Sequence, residues 1–458
     1  MANQFAYLSL FIWPLLIFVF FKKMIFESAL ILSVLGGYLL LPSKLTVDIV
    51  GLPPLDKNSI TAITLMVYIY VFSNRRLTIF GRDPVVKVLI FSGILGPFLT
   101  SLFNADSIVI GSTVLRSLDF KDAISQTSNY ILGAITFFCG RSFLTTERDH
   151  QRLLIALVLA ALAYSIFILY EARMSPQIHK IIYGYFPHSF AQHRRGDGFR
   201  PVVLLAHGLW LAMFVVTALV AGIYLWKKKL GPMKKYGALK SAYLFTILLV
   251  CKSAASLVYG GALVSILLFF KKRMVIRFSA VLVALTLLYP VLRYTDSFPI
   301  DSLIEVASSF SEDRAQSLQY RVNHENQLLD KAAKKIWFGW GGWGRNRVYD
   351  EVSGNDITVI DGAWISILGL SGGVGFLSVF GLLSMGVIRL YQTSKTTNKT
   401  FDTMPYLAII ISINLIDMLP NASLTPLTWL LSGSLLGSVE VLRSTSVRQG
   451  ADKNLTDV

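Results

Sequence analysis

The sequence predicts an all-α polytopic membrane protein with about 12–13 transmembrane helices. Three observations predict it: 54% of the 458 residues are hydrophobic while only 15% are charged, the mean hydropathy is +0.58, and the apolar residues gather in long runs. A soluble domain of this length has no core large enough to bury so much apolar surface. A helix of about 17–25 apolar residues crosses the hydrocarbon core and bonds its own backbone where no water is present.

Thirteen apolar runs serve as the predicted spans. The first has no basic residue before it and no small-residue cleavage site after it, so we interpret it as a retained span rather than a signal peptide. Several runs are short for a membrane crossing, which makes thirteen a working count. The predicted spans are 5–21, 24–42, 59–72, 84–103, 123–142, 153–170, 201–226, 237–251, 254–270, 275–292, 362–391, 403–419 and 424–442.

The positions of Lys and Arg orient these spans. With the N-terminus outside, every cytoplasmic connection and the C-terminal tail carry basic residues, as the positive-inside bias requires. The formal net charge of +16 then lies on the cytoplasmic side next to anionic lipid, and the external face is close to neutral. The excess of basic residues therefore does not indicate nucleic-acid binding, and the lipid bilayer is the predicted partner.

The same pattern divides the chain into parts. Residues 1–292 hold about ten of the predicted helices and an external loop at 171–200. Residues 293–360 form a large external loop with a helix, residues 361–442 hold the last spans, and residues 443–458 form a cytoplasmic tail. Most of the external basic residues lie in the two long external segments, so function is sought there.

Motifs for metal or nucleotide chemistry are missing from the sequence. It contains no Walker loop, zinc-ligand cluster or nucleophile elbow, and Cys139 and Cys251 each fall inside an apolar run. We therefore predict no metal site, no cofactor, no disulfide and no step driven by ATP. Two glycine pairs, at 260–261 and 372–373, lie in predicted spans, where close helix packing is expected.

Arg200 ends the first external segment, and Pro201 after it suits the first position of a helix. A helix N-terminus offers free N–H groups and partial positive charge, and an adjacent Arg adds a planar fork, so a phosphate would bind there. The alternative is an interfacial Arg that extends to lipid headgroups. His207 is predicted on the same helical face, where a hydrogen-bonded structural histidine is favoured over a catalytic one.

The second external segment contains a predicted amphipathic helix from Asp313 to Lys335, because apolar residues recur there at helical spacing with charges between them. Arg321 and Glu325 are four residues apart on one face, with His324 beside them. These side chains are candidates for the site, while a surface ion pair would explain Arg321 and Glu325 without any function.

A glycine-rich turn with three tryptophans follows, from Trp337 to Arg345. Glycines allow a tight turn, and flat indoles such as those of Trp340 and Trp343 stack on sugar rings or anchor a loop at the membrane surface. Asp361 precedes the next apolar helix, where an N-cap and a catalytic carboxylate are both consistent with its position.

These residues together resemble the O-antigen ligase and Wzy-type polymerase superfamily. The resemblance rests on an external Arg before a middle span, a large external loop with an Arg-containing helix, and the Phe338-Gly339-Trp340-Gly341 turn before a closing span. The span pattern is similar over most of the chain, whereas the motifs are confined to about 194–201 and 314–375. The resemblance implies a GT-C-like fold in the bacterial inner membrane, with a long helical periplasmic loop.

The resemblance also implies an activity, namely metal-independent, inverting glycosyl transfer on sugars carried by undecaprenyl pyrophosphate, at an active site that faces the periplasm. Arg200 and Arg321 match the arginines that hold the pyrophosphate in that superfamily, and Arg345 is assigned to the same group. Fixed cations there stabilise the charge that grows on a departing pyrophosphate. Where ligases carry a His at the end of the large loop, this chain has Asp361, so Asp361, Glu325 and His324 are the candidate proton acceptors.

The expected function is therefore polymerisation of lipid-linked oligosaccharide repeat units for O-antigen, capsule or exopolysaccharide. The alternative within the same superfamily is a ligase that transfers the finished glycan to lipid A-core or to protein. A flippase for the same lipid-linked sugars is the alternative of another class, although no internal repeat typical of transporters is evident in the sequence. The resemblance further implies a chain-length regulator protein as a partner.

Overall fold

The computed structural model describes residues 2–48, 54–195, 198–310, 312–396 and 400–456. In these residues the chain is a bundle of α-helices with two short β-hairpins, which confirms the all-α prediction. The helices of the first half are α1 Gln4–Lys23, α2 Phe26–Leu40, α3 Lys57–Val67, α4 Pro84–Leu102, α5 Phe120–Phe143, α6 Glu147–Met174, α7 Ile178–Tyr183, α8 Gly208–Lys228 and α9 Gly237–Val250.

The second half carries the remaining helices and the hairpins lie in the first half. The helices are α10 Ala254–Phe269, α11 Lys272–Tyr294, α12 Ile300–Phe310, α13 Glu312–Ala333, α14 Ala363–Phe376, α15 Leu382–Thr396, α16 Met404–Asp417 and α17 Pro426–Thr456. The antiparallel strands are β1 Ile108–Ile110 with β2 Thr113–Leu115, and β3 Arg194–Arg195 with β4 Gly198–Phe199. Single π-helical turns extend α3 to Phe72 and join α14 to α15.

Six of the described helices are long and apolar enough to cross a membrane: α1, α4, α6, α8, α11 and the continuous α14–α15. Five shorter apolar helices, α2, α3, α9, α10 and α16, accompany them. Each predicted span contains a helix, so the chain is a multi-pass membrane protein, as predicted. The count of 12–13 crossings and the GT-C-like arrangement stay predictions.

Helix α8 lies at the centre of the bundle. In its most apolar stretch 89% of the residues are buried, against 28% in the corresponding stretch of α1. Its sequence is apolar on all sides, which is typical of a helix surrounded by other helices. It packs against α6, α9, α10 and α16, while α1 turns much of its apolar surface outward, as a helix at the lipid boundary does.

Segments predicted to share one side of the membrane also lie together. At the predicted cytoplasmic end, Arg141 pairs with Glu440 at 2.6 Å, and Lys228 and Lys272 both pair with Asp402. At the opposite end, the backbone N–H near the start of α1 donates to the carbonyl of Tyr183 in the external segment 171–200 (2.9 Å). These contacts therefore agree with the grouping of the connecting segments on two sides of the membrane that the basic residues predict.

Helix α14 is broken at Gly372, and the tryptophan-rich turn lies in the break. Gly372 has a φ of +64°, which L side chains rarely adopt. The backbone groups freed by the break bond to the turn: the N–H of Gly373 donates to the carbonyl of Ile336 (2.7 Å), and the N–H of Trp340 donates to the carbonyl of Gly369 (2.9 Å). The sequence predicted close helix packing at 372–373, but the segment that packs there is the tryptophan-rich turn and not a helix.

Candidate functional site

A cavity of about 280 Å³ lies at the predicted external end of the bundle, beneath the large external loop. It is formed by α10, α11, α14 and α16 from the bundle and by α12 and α13 from the loop. Most of its wall is apolar. Its charged groups are Arg321, Glu325 and Asp361, so three of the residues singled out in the sequence meet in one place.

Arg321 and Asp361 form an ion pair in this cavity. The Arg321 Nε lies 3.4 Å from the Asp361 Oδ2, and the two side chains are 37% and 40% exposed. The N-cap interpretation of Asp361 is wrong, because α14 begins at Ala363 with Gly362 as its cap, and no side chain caps it. The carboxylate lies one residue too early for a cap and points to the guanidinium instead.

Glu325 is held more tightly than Asp361. Its Oε1 accepts a hydrogen bond from the indole N–H of Trp364 (2.5 Å), and its Oε2 lies 3.5 Å from the Arg293 Nη2. Burial raises the pKa of the Glu325 carboxyl, and the nearby Arg293 guanidinium opposes that rise. The sequence left open a surface ion pair between Arg321 and Glu325. In the structure Glu325 contacts Trp364 and Arg293 instead, and Arg321 pairs with Asp361.

Arg293 is a residue of the site that the sequence analysis missed. It lies in the last turn of α11, its side chain is only 2% exposed, and its Nη2 donates to the Asn326 Oδ1 (2.6 Å). The predicted span ended at residue 292, so Arg293 was grouped with the external loop. Its burial depends on α13 packing over it, and no local pattern in the sequence signals that contact.

His324 lies beside the cavity rather than in its wall. Its ring packs edge-on against Tyr320, with 4.3 Å between the ring centroids. Its Nδ1 is buried and forms no hydrogen bond with the part of the chain that the structure describes. His324 does not line the cavity that holds Arg321 and Asp361, and its role as a proton acceptor stays a prediction.

The tryptophan-rich turn is anchored by its own side chains. The indole N–H of Trp340 donates to the carbonyl of Lys331 (2.7 Å), and the ammonium groups of Lys331 and Lys335 lie 4.0 and 4.7 Å from the ring centroid. Trp343 is 64% exposed, with Arg116 over its ring at 4.4 Å. Neither tryptophan lines the cavity, and sugar stacking by either one stays a prediction.

Arg345 is almost fully buried, with 1% of its surface exposed. Its Nη1 donates to the carbonyls of Asp106 (2.9 Å) and Arg116 (2.8 Å), and its Nε donates to the carbonyl of Trp340 (3.2 Å). Burial lowers the pKa of its guanidinium. These contacts tie the loop before α5 to the turn, and they lie away from the cavity wall. Its assignment to the pyrophosphate stays a prediction.

Arg200 lies elsewhere in the external region and does not line this cavity. The predicted helix start at Pro201 is wrong, because α8 begins at Gly208 with His207 as its N-cap; its Nδ1 accepts the N–H of Leu209 (3.1 Å). His207 therefore has the hydrogen bond expected of a structural histidine, but it lies before the helix and not on its face. The Arg200 Nη2 donates to the carbonyl of Lys252 (3.0 Å).

Arg200 nevertheless lies against the start of α8. A Cβ on Gly208 would lie 2.5 Å from the Arg200 Cδ. The free N–H groups expected to bind phosphate are taken by a carboxylate of the chain itself, since the Glu171 Oε2 accepts from Val202 (2.8 Å) and Val203 (2.7 Å). Binding of pyrophosphate by Arg200 stays a prediction.

Among the residues that the structure describes, no group of three or more His, Cys, Asp or Glu side chains is arranged to hold a metal ion. The fold and the cavity define the chain as a multi-pass α-helical membrane protein with a charged cavity under a loop that is predicted to be external. No family model, no curated protein and no solved structure matches the chain.

Proposed function

We propose that the chain polymerises oligosaccharide repeat units carried by undecaprenyl pyrophosphate, in a bacterial inner membrane with the active site facing the periplasm. The observation that carries the proposal is the Arg321–Asp361 pair in the cavity at the predicted external end of the bundle. A cation and a carboxylate side by side, partly exposed above an apolar wall, supply what glycosyl transfer from a lipid pyrophosphate needs.

The reaction uses the two groups as follows. A hydroxyl oxygen of the acceptor sugar forms a bond to the anomeric carbon of the donor glycan. The bond from that carbon to the pyrophosphate oxygen breaks, and its electron pair leaves with undecaprenyl pyrophosphate, whose charge Arg321 stabilises. The hydroxyl proton passes to the Asp361 carboxylate. Attack from the face opposite the leaving group inverts the anomeric centre.

Asp361 is a better proton acceptor here than Glu325. Its side chain is 40% exposed and, among the residues that the structure describes, it has one ion-pair contact, to Arg321, which a bound pyrophosphate would take over. Glu325 is 16% exposed and already accepts the Trp364 N–H, with Arg293 beside it. Displacing Glu325 from these partners would leave a buried Arg without its carboxylate, which is costly. Glu325 therefore serves to fix α13 over the cavity.

The reaction is tested with purified protein and a defined undecaprenyl-pyrophosphate repeat unit, in the absence of nucleotide. The products are separated by length. A ladder of lipid-linked glycans is expected. Transfer only to an added lipid A-core acceptor would establish the ligase alternative, and movement of the substrate across liposomes without any new glycosidic bond would establish a flippase. A chain-length regulator, if added, is expected to narrow the ladder.

The site is tested with Arg321→Lys and Asp361→Asn in the same assay. Lys keeps the charge but loses the planar two-pronged contact, and Asn cannot accept the proton, so each is expected to reduce the initial rate about 100-fold or more. Arg347 and Asp356 form a matched control pair in the same loop, with side chains 42% and 27% exposed, outside the cavity wall. Arg347→Lys and Asp356→Asn should leave the rate nearly unchanged; equal losses in both pairs would contradict the assignment.

A further inference from the structure

A groove of about 560 Å³ opens on the outer surface of the bundle between α8, α9 and α10. Helix α8 contributes the buried side chains of Leu219 and Ile223, while Ala242 of α9 and Ser265 of α10 are exposed. The volume is within the range of about 300–1,000 Å³ that is usual for sites of small ligands. None of the residues that line this groove lines the cavity of Arg321, so the two are separate.

Small side chains make room for the groove. Gly261 of α10 faces it, and no described atom lies within 4 Å of a Cβ placed on this glycine. Ala238 and Ala242 line the wall on α9. Within a membrane, small residues allow another apolar chain to approach a helix closely. Which chain fits is decided by the polarity, length and charge of the groove.

The hydroxyl groups of the wall are turned back onto their own helices. The hydroxyl of Ser265 donates to the carbonyl of Gly261 (3.1 Å), and the hydroxyl of Thr246 donates to the carbonyl of Ala242 (3.1 Å). The hydroxyl of Ser241 likewise donates to the carbonyl four residues before it (2.9 Å). Among the described residues no charged side chain lines the groove. Its surface is therefore suited to a hydrocarbon chain rather than to a sugar.

The groove runs along the helices to their predicted cytoplasmic ends. On α9 its wall extends from Ala238 to Thr246, a rise of about 12 Å along the helix axis. Half of the hydrocarbon core of a bilayer is about 15 Å thick. An acyl chain of a lipid in the cytoplasmic leaflet would therefore occupy the groove over most of that depth.

Basic residues surround the predicted cytoplasmic end of the groove. Lys227 follows Trp226 of the wall, and its ammonium group donates to the carbonyl of Leu267 on α10. Residues 227–240 and 271–277 connect the helices at this end and contain no Asp or Glu. Their basic residues are Lys227, Lys228, Lys229, Lys234, Lys235, Lys240, Lys271, Lys272, Arg273 and Arg277. A negatively charged group is therefore favoured at this end of the groove.

The chain itself offsets only part of this charge. Asp402 pairs with both Lys228 and Lys272, so one carboxylate serves two lysines. Lys235 and Lys271 are exposed at the same end of the bundle. The remaining positive charge is available to an anion from outside the chain.

The same charge argues against a second copy of this chain in the groove. Two copies related by an axis along the membrane normal would bring the same surface of each together. The basic connections 227–240 and 271–277 of both copies would then lie close to each other, and like charges repel. An anionic lipid supplies the opposite charge instead.

We propose that the groove binds an anionic phospholipid of the cytoplasmic leaflet. One acyl chain lies along α8, α9 and α10, and the phosphate lies at Lys227 and Lys271. Basic pockets between transmembrane helices on the cytoplasmic side are known to hold anionic headgroups. This site involves no glycan and lies at the opposite end of the bundle from the cavity of Arg321, so it goes beyond the proposed polymerisation.

The test measures lipid binding to the purified, delipidated protein by native mass spectrometry. The probes are phosphatidylglycerol and phosphatidylcholine with identical acyl chains, each titrated to obtain a Kd. Each lysine beside an anionic headgroup contributes about fivefold in affinity, so phosphatidylglycerol should bind about 25-fold more tightly. Lys227→Gln combined with Lys271→Gln should abolish this preference. The matched control, Lys22→Gln combined with Lys23→Gln, removes two exposed lysines at the end of α1 and should retain it.

The groove itself is tested by filling it. Gly261→Leu places a side chain in the open space and should weaken binding of both lipids about fivefold or more, because on the order of ten carbon–carbon contacts are lost. Ala262→Leu changes the next residue, which is exposed and outside the groove wall, and should leave both Kd values unchanged. Ser265→Leu fills the same groove from an exposed position and carries the test if Gly261→Leu does not fold.

Three results would overturn the proposal. They are equal Kd values for the two lipids, a preference that survives the loss of Lys227 and Lys271, and equal effects of Gly261→Leu and Ala262→Leu. Dimers that disappear with Gly261→Leu would assign the groove to a second copy and would overturn it as well. The measurement contains no glycan, so its outcome is independent of whether the protein forms a glycan ladder.

Discussion

Removal of Arg293 should show how strongly the loop helix α13 depends on one buried contact. Arg293→Met preserves most of the side-chain length and removes the charge. The arginine side chain is 2% exposed and its Glu325 partner is 16% exposed, so the pair is shielded from water on both sides. Removing one partner of a buried pair costs about 3–5 kcal/mol, because the other charge stays buried without compensation. The slight exposure of Glu325 favours the lower end, about 3 kcal/mol.

The measurement is the free energy of unfolding in detergent micelles, from denaturant titration of the purified variants. If an uncompensated carboxylate causes the loss, Glu325→Gln added to Arg293→Met should restore about 2 kcal/mol of it. Arg347→Met removes an exposed arginine from its partner Asp356 and should cost only about 0–1 kcal/mol. Equal losses for Arg293→Met and Arg347→Met, or no recovery in the double variant, would refute the reasoning.

Further predictions concern the same loop and the helix break. Burial raises the pKa of Glu325, so the folded state binds more protons than the unfolded chain. The free energy of unfolding should therefore fall as pH rises from the ordinary carboxyl pKa toward the raised one, and Glu325→Gln should remove that fall in denaturant titrations across this range. Trp364→Phe removes the N–H that Glu325 accepts and should cost about 1–3 kcal/mol in denaturant titration. Gly372→Ala would place a Cβ 2.4 Å from the Trp337 carbonyl at a φ of +64°, and its midpoint of thermal unfolding should drop. The matched Gly261→Ala meets nothing within 4 Å and should leave that midpoint unchanged or raise it.

The sequence predicted most helices because their signals are local. Long apolar runs and basic connections require no knowledge of distant partners, and every predicted span contains a helix. Helix α13 was predicted at Asp313–Lys335 from apolar residues at helical spacing, and it extends from Glu312 to Ala333. The amphipathic pattern was sufficient because one face of the helix packs on the bundle.

The predicted start of α8 is wrong because hydrogen bonds to a distant carboxylate outweigh the preference of proline for the first turn of a helix. Proline favours a helix N-terminus, but the backbone after Pro201 bonds to Glu171 through the N–H groups of Val202 and Val203. The helix begins only at Gly208. Glu171 lies on another helix, so nothing near Pro201 in the sequence signals its presence.

The sequence predicted which residues belong to the candidate site, but not the contacts between them. The sequence named Arg321 and Asp361 separately, but the 3.4 Å between them depends on how α13 and α14 pack. Arg345 was named for its charge, and its hydrogen bonds to the carbonyls of Asp106 and Arg116 depend on chain more than 200 residues away. Charge and residue type were visible in the sequence, whereas burial was decided by these distant contacts.

The tryptophan-rich turn, which lies in the break of α14, limits how a substrate could reach the cavity that holds Arg321 and Asp361. Its backbone hydrogen bonds to Gly369 and Gly373 join the segment that follows α13 to α14 at the break, so the helix that carries Arg321 and the helix that follows Asp361 are fastened to each other there. Separating α13 from α14 on that side of the cavity would break these backbone hydrogen bonds, and a buried backbone group left without a partner costs about 1–3 kcal/mol. The cavity is also bordered by α12, whose Leu303 lines it and is itself exposed, so a lipid-linked substrate of the proposed kind would reach Arg321 past α12 rather than between α13 and α14.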